Sequence, residues 1–157
     1  MPTLKLPALD PASVQETTGS GYPAPYRDLV KGRHRRRLGD AVGLRNFGVN
    51  LTRLEPGAAS AQRHWHDRQD EFVYVVSGEL VLVTDGGEQV LRPGMVAGFP
   101  AGVADGHHLI NRGTVDAFYL EVGDRSPGDR YDYPDIDMKG YDTDAGHAFV
   151  HKDGTTW

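Results

Sequence analysis

Cysteine is absent from this 157-residue chain, which excludes disulfides, thiolate metal ligands and a cysteine nucleophile together. Long apolar runs are missing as well. No stretch approaches the roughly 20 apolar residues of a membrane-spanning helix, and the opening MPTLKLPALDP lacks the apolar core of a signal peptide. There is no excess of positive charge either: 17 Lys and Arg stand against 22 Asp and Glu, for a net charge of −5. That balance attracts neither nucleic acid nor an anionic membrane. No P-loop, Gly-rich dinucleotide fingerprint, GxSxG elbow or zinc-finger spacing occurs. The expectation is a cytoplasmic protein without nucleic-acid or membrane partners. Any metal in it must be held by imidazole nitrogen and carboxylate oxygen.

Turn residues, by contrast, are plentiful. Twenty Gly and 10 Pro in a chain that is 38% hydrophobic favour many short strands over long helices, and the length suits one compact domain. Residues 1–25 carry five prolines and suit an extended arm. The only dense basic run, KGRHRRR at 31–37, reads as a solvated or interface-bound strand edge in preference to an anion or nucleic-acid contact. Arg33, Arg35 and Arg37 share one parity, as a salt-bridged strand face would require.

From residue 44 the pattern changes. LRNFGVNLTRL, EFVYVVS, LVLVTD, EQVLR, MVAGFP, HHLINRG and DAFYLEVG read as strands, separated by Gly- and Pro-bearing turns such as DGGE and RPG. The prediction is an all-β sandwich or barrel. Phe72–Val76 and Leu80–Val83 are apolar at both parities, so their outer face needs cover from the arm or from a second copy in a homodimer. Residues 124–157 are polar and acidic, with too little apolar content for a core of their own. The expected organisation is therefore an arm and basic segment (1–43), a barrel (44–123) and a tail wrapping it (124–157).

The chemistry concentrates in RHWHDRQDEFVYVVSG, residues 63–78. In a strand His64 and His66 point the same way with Trp65 opposed, and the bend DRQD returns Glu71 toward them. Imidazole and carboxylate form the ligand set of Zn, Fe, Mn and Ni sites, so one divalent ion of this group is the expected cofactor. A further imidazole can come from His107 or His108, but adjacent strand residues face opposite ways and only one can join. Tyr74 and Tyr119 are candidate donors inside the barrel, and Asn111 either orients a ligand or satisfies a turn. Arg63, Arg68 and Arg112 are read as surface charge in preference to anion contacts, and His34, His147 and His151 as solvated.

Two spaced motifs carry a family resemblance. Gly57, His64, His66, Glu71 and Gly78 form the first; Gly94, Pro100, Gly102, His107 and Asn111 form the second. In this pattern, over residues 44–122, the chain resembles the cupins. It departs from them in the second motif, where VADG places His107 five residues beyond Gly102 instead of about three; the interval to Asn111 favours His107 over His108. The resemblance implies a double-stranded β-helix, or jelly-roll barrel, with His64, His66, Glu71 and His107 around a metal near one mouth. It is closer to a subgroup of small single-domain cupins that share YPAPYR (22–27), DEFVYV (70–75), FPAGVADGHHLIN (99–111) and DRYDYPDID (129–137). Members of that subgroup are labelled sugar-phosphate isomerase-like or regulator-like, and fold alone decides between neither.

The expected function is a metal-dependent enzyme of isomerase, lyase or dioxygenase type acting on a small polar molecule. A non-catalytic ligand-binding or sensing module and a metal-stabilised dimer are the alternatives. Tyr74, His108, Asn111 and Tyr119 are the candidate substrate contacts, and His108, Tyr74, Tyr119 and Asp105 the candidate proton-transfer groups. A wet cavity with convergent Arg or Tyr groups would favour a polar substrate, and an occluded apolar one a structural ion.

Overall fold

The computed structural model describes residues 4–157; the first three residues of the expected arm lie outside them. In chain order the strands are β1 (Thr17–Thr18), β2 (Arg33–Arg37), β3 (Phe47–Leu54), β4 (Trp65–His66), β5 (Glu71–Ser77), β6 (Leu80–Thr84) and β7 (Gly87–Leu91). There follow β8 (Val96–Phe99), β9 (His108–Ile110), β10 (Ala117–Asp124), β11 (Arg130–Tyr133), β12 (Met138–Thr143) and β13 (Gly146–Val150). All pairings are antiparallel, in sheets ordered β1-β2-β3-β10-β5-β8, β13-β12-β11-β4 and β7-β6-β9. This is the jelly-roll barrel expected from the strand pattern. No helix among the described residues is long and apolar enough to cross a membrane.

Period-two alternation decides which side chains meet inside. On β5, Glu71, Val73 and Val75 face inward, while Phe72, Tyr74 and Val76 stay exposed. Val73 and Val75 pack with Leu80 and Leu82 of β6, Leu109 of β9 and Leu54 of β3 in the main core. Each fully buried aliphatic side chain there contributes about 1.5–3 kcal/mol. Gly78, which ends β5, has φ +76°, and a Cβ on it would meet Ala117 at 2.8 Å, so the first motif's closing glycine is a steric requirement.

Arm and tail share a second core. Tyr22 and Val30 from the arm pack with Tyr131, Tyr133 and Met138 from the tail, and Phe149 closes against them. The acidic tail thus forms three strands that the sequence did not reveal, because its apolar payload is mostly tyrosine and half of that core comes from the arm. Tyr22 meets Tyr133 and Phe149 edge to face. The outer face of β5 and β8, expected to be covered by the arm or a second copy, carries Phe72, Tyr74, Val76 and Val96 exposed, so the described residues of the arm do not cover it.

Three sequence expectations are corrected by these positions. Tyr74 is not inside the barrel: Glu71 faces inward, and three residues along a strand puts Tyr74 on the outer face, 40% exposed. The basic run is no sheet edge, because β2 lies between β1 and β3 and turns Arg33 and Arg35 inward. His34 is not solvated; it is largely covered and sits between Glu16 (3.5 Å) and Glu55 (2.8 Å), tying the arm to β3.

Asn111 is also settled by its bonds. It is fully buried, its Nδ2 donates to Leu54 O and Val115 O at 2.8 Å, and its Oδ1 accepts from Gly113 N–H at 2.9 Å. It fastens the turn after β9 to the end of β3, with both amide hydrogens used and the side chain out of reach of the cavity. Asn111→Ala should therefore destabilise the fold by about 2–4 kcal/mol in urea denaturation, because buried carbonyls lose their donors. Unchanged stability with altered ligand affinity would contradict this assignment.

Candidate metal centre

His66 on β4 and His64 just before it, bridged to His107, reach one side of the barrel as the strand parity predicts, and Glu71 opens β5 opposite them. The donor atoms of His64, His66 and Glu71 lie within 4.8 Å of one another. His64 Nε2 is 3.7 Å and His66 Nε2 3.6 Å from Glu71 Oε2. Donors about 2.1 Å from a shared ion stand about 3.0–3.4 Å apart, so these two pairs need contract by only a few tenths of an ångström.

The imidazoles are held from behind. His64 Nδ1 donates to Gln62 O at 2.8 Å, and His66 Nδ1 to Asp129 Oδ2 at 2.5 Å. Both bonds leave Nε2 facing the centre with a free lone pair, the tautomer a metal ligand needs. Asp129 is fully buried, and its Oδ1 accepts from Arg68 N–H at 2.8 Å, which fixes the carboxylate itself.

His107 takes a different position. Antiparallel hydrogen bonds with His64 bring it beside the group, and Phe99 stacks on its ring at 3.6 Å. Its Nε2 donates to Glu71 Oε2 at 2.7 Å. His108 turns the other way and anchors Nδ1 to Ala61 O at 2.9 Å. The structure therefore gathers His64, His66 and Glu71 as the compact group and keeps His107 next to it.

Charge follows from burial. Desolvation, reinforced by His66 and His107, lowers His64 to about 4, so its imidazole is neutral at physiological pH. Burial alone would raise Glu71, but the His107 hydrogen bond and the three surrounding imidazoles hold it well below the usual carboxylate range. The result is an ionised carboxylate facing a neutral His64 nitrogen, a donor pair that fits a divalent ion.

The group opens onto a cavity of about 690 Å³. Tyr119 and His108 reach it, as do Arg33, Arg35 and Glu121, which the site reading of the sequence passed over. Arg63 and Arg112 take no part: Arg63 is engaged by Asp85 and Asp135, and Arg112 forms a two-pronged pair with Glu88 at 2.6 Å. Asp105 supports the loop, its carbonyl 3.3 Å from His107 Nδ1 and its carboxylate accepting from Asp85 N–H. His147 is exposed beside Asp142, and His151 stacks on Trp157.

Asp129 was missed because it lies 63 residues from His66 in an acidic segment with no ligand spacing. Asp129→Asn should weaken divalent-ion affinity about 10- to 100-fold, read by competition with a chromogenic chelator. Wild-type affinity in a folded variant would contradict the positioning role.

Comparison with known proteins follows the same lines. The cupin domain family model matches residues 50–123. A sugar phosphate isomerase from a cupin superfamily of Silicibacter pomeroyi is 48% identical, with 96% of each chain covered and a TM-score of 0.93. A candidate sugar phosphate isomerase from Acidithiobacillus ferrooxidans is 34% identical over 80% of each chain, with a TM-score of 0.72. The polyketide cyclase RemF from Streptomyces resistomycificus, at 19% identity, 74% and 78% coverage and a TM-score of 0.60, shares the fold. No curated protein matches the sequence. With both motifs in place, the barrel formed and a relative this similar along nearly its whole length, the chain belongs to the cupin superfamily.

Proposed function

We propose that this protein is a metal-dependent isomerase of a small phosphorylated sugar. The observation that carries the reading is the opening of the His64, His66 and Glu71 group onto a large cavity with charged and phenolic walls. An occluded apolar site would have favoured a structural ion. The similarity to a sugar phosphate isomerase of the same superfamily supports the substrate class.

His64, His66 and Glu71 would hold the ion, with His107 as the fourth ligand once its hydrogen bond to Glu71 is released. A divalent ion there supplies Lewis-acid polarisation of a substrate oxygen. The chain's own groups move the proton. Aldose–ketose isomerisation shifts a proton between neighbouring carbons, which requires an acceptor beside the reacting carbons. Glu121 is placed for it: Gly123 pairs with Glu71 across the β10–β5 ladder, and Glu121 is the next inward position along β10. Its carboxylate accepts from Asn50 Nδ2 at 2.9 Å and from Tyr119 Oη at 3.2 Å, which fix its orientation. Burial keeps the Tyr119 phenol protonated, as a donor.

Protein loaded in turn with Zn, Fe, Mn and Ni, incubated with a panel of aldose and ketose phosphates and followed by proton NMR, should interconvert one pair. His64→Ala/His66→Ala should lower that turnover at least about 1000-fold while the barrel's circular dichroism persists. Binding of a sugar phosphate with no interconversion under any of the four metals would overturn the isomerase reading in favour of a sensing module.

A further inference from the structure

The inner face of the large sheet carries a guanidinium that the metal chemistry does not use. Arg35, Thr52 and Tyr119 stand opposite one another across β2, β3 and β10, two residues along from the row of Arg37, Asn50 and Glu121. The next row holds Gly48 and Gly123 and ends at Glu71. A Cβ on Gly123 would come within 4.0 Å of Glu71 Cγ, so the absence of side chains here leaves a clear floor from Glu71 toward the arginine rows.

The arginines on the cavity wall differ in how far they are already engaged. Arg33 donates to Ser60 O and to Gly19 O, and Arg125 is paired with Asp40. Arg35 has only Glu121, whose Oε1 lies 2.8 Å from its Nε. That contact is a charge pairing without a directed hydrogen bond, because the Nε–H finds no acceptor among the described residues. The two terminal nitrogens make no hydrogen bond there either, and 32% of the side chain remains accessible although Nε is buried. Thr52 Oγ1, directly opposite in register, is a second buried polar atom without a partner among the described residues. A buried donor such as Nε is nearly always satisfied, and here it is left beside a carboxylate while the terminal pair faces the cavity free.

The charge of the cavity states what is missing. Arg33, Arg35, Arg37 and Arg125 are matched by Asp40, Glu71, Glu121 and Asp124 on its wall. A divalent ion beside Glu71 would leave two positive charges uncompensated. A phosphate monoester, close to a dianion at neutral pH, removes that excess, whereas a single carboxylate leaves half of it. The fork of Nη1 and Nη2 also matches two phosphate oxygens.

We propose that Arg35 is the anion-recognition residue of this cavity, binding the phosphate group of the substrate while the metal centre engages its other end. This rests on the sugar-phosphate reading above for the identity of the substrate, though not for the existence of the anion site. Nε can stay beside Glu121 while Nη1 and Nη2 hold the phosphate, so the same carboxylate orients the arginine and serves proton transfer.

The test separates the two claims. Inorganic phosphate is titrated, by calorimetry and phosphorus NMR line width, into chelator-treated protein and into zinc-loaded protein, with acetate as the competing anion. Wild type should bind phosphate in both forms, more tightly when zinc-loaded, and the zinc-loaded form should prefer it to acetate. Arg35→Met should weaken phosphate at least about 10-fold in both, Arg35→Lys should fall between, and Arg112→Met should match wild type. Metal content should not change in any of them. If Arg35→Met, with a wild-type thermal unfolding midpoint, binds phosphate as well as wild type, the proposal is overturned. Acetate binding as tightly as phosphate overturns the phosphate assignment. Loss of metal by His64→Ala/His66→Ala with Arg35-dependent phosphate binding retained supports the anion site even where isomerase turnover fails.

Discussion

Glu71 is an ionised carboxylate enclosed in a β-barrel, and the surrounding structure is organised by the need to compensate it. Burial disfavours its charge, yet its affinity for protons is held low by the His107 hydrogen bond and by His64 and His66. Removing one partner of such a buried set leaves a charge stranded, which costs about 3–5 kcal/mol. The compensation reaches outward in turn: Gln62 O fixes His64, Asp129 fixes His66, and Phe99 backs His107. Since Asp129 immediately precedes β11, the tail that looked peripheral in composition is what sets the orientation of a central imidazole.

In the proposed reaction the same barrel wall would join recognition to chemistry. Strand pairing places Glu121 one row and Arg35 two rows along from Glu71, with Gly48 and Gly123 leaving the floor at Glu71 clear. An ion-paired arginine on a solvated surface is worth about 0–1 kcal/mol, whereas the proposed role of Arg35 rests on the free terminal donors it turns to the cavity. The cavity wall carries four arginines and four carboxylates, so a bound divalent ion would tip its balance toward anions.

What could be read from the sequence was what local spacing determines. His64 and His66 sit two apart in an extended segment and Glu71 follows one short bend, so three side chains converge without knowledge of the rest of the chain. The strands 47–124 were visible for the same reason, through β-branched runs cut by Gly and Pro. Tyr74 was misplaced although its phase was available, since an inward Glu71 sends it outward. Arg33 and Arg35 were seen to share a face, but which way that face points depends on β2 pairing with β3, a contact across unrelated segments. Asp129 and the tyrosine core of arm and tail depend wholly on such distant pairings, and no local pattern announces them.

The central claim is that His64, His66 and Glu71 converge to hold a divalent ion, and anomalous diffraction tests it most directly. Crystals of protein purified without chelator or nickel resin would be measured at the absorption edges of manganese, iron, nickel and zinc. The account predicts one peak per chain, about 2.0–2.3 Å from His64 Nε2, His66 Nε2 and a Glu71 carboxylate oxygen. A centre without a peak, with Glu71 still hydrogen-bonded to His107 after soaking in each metal, would contradict it.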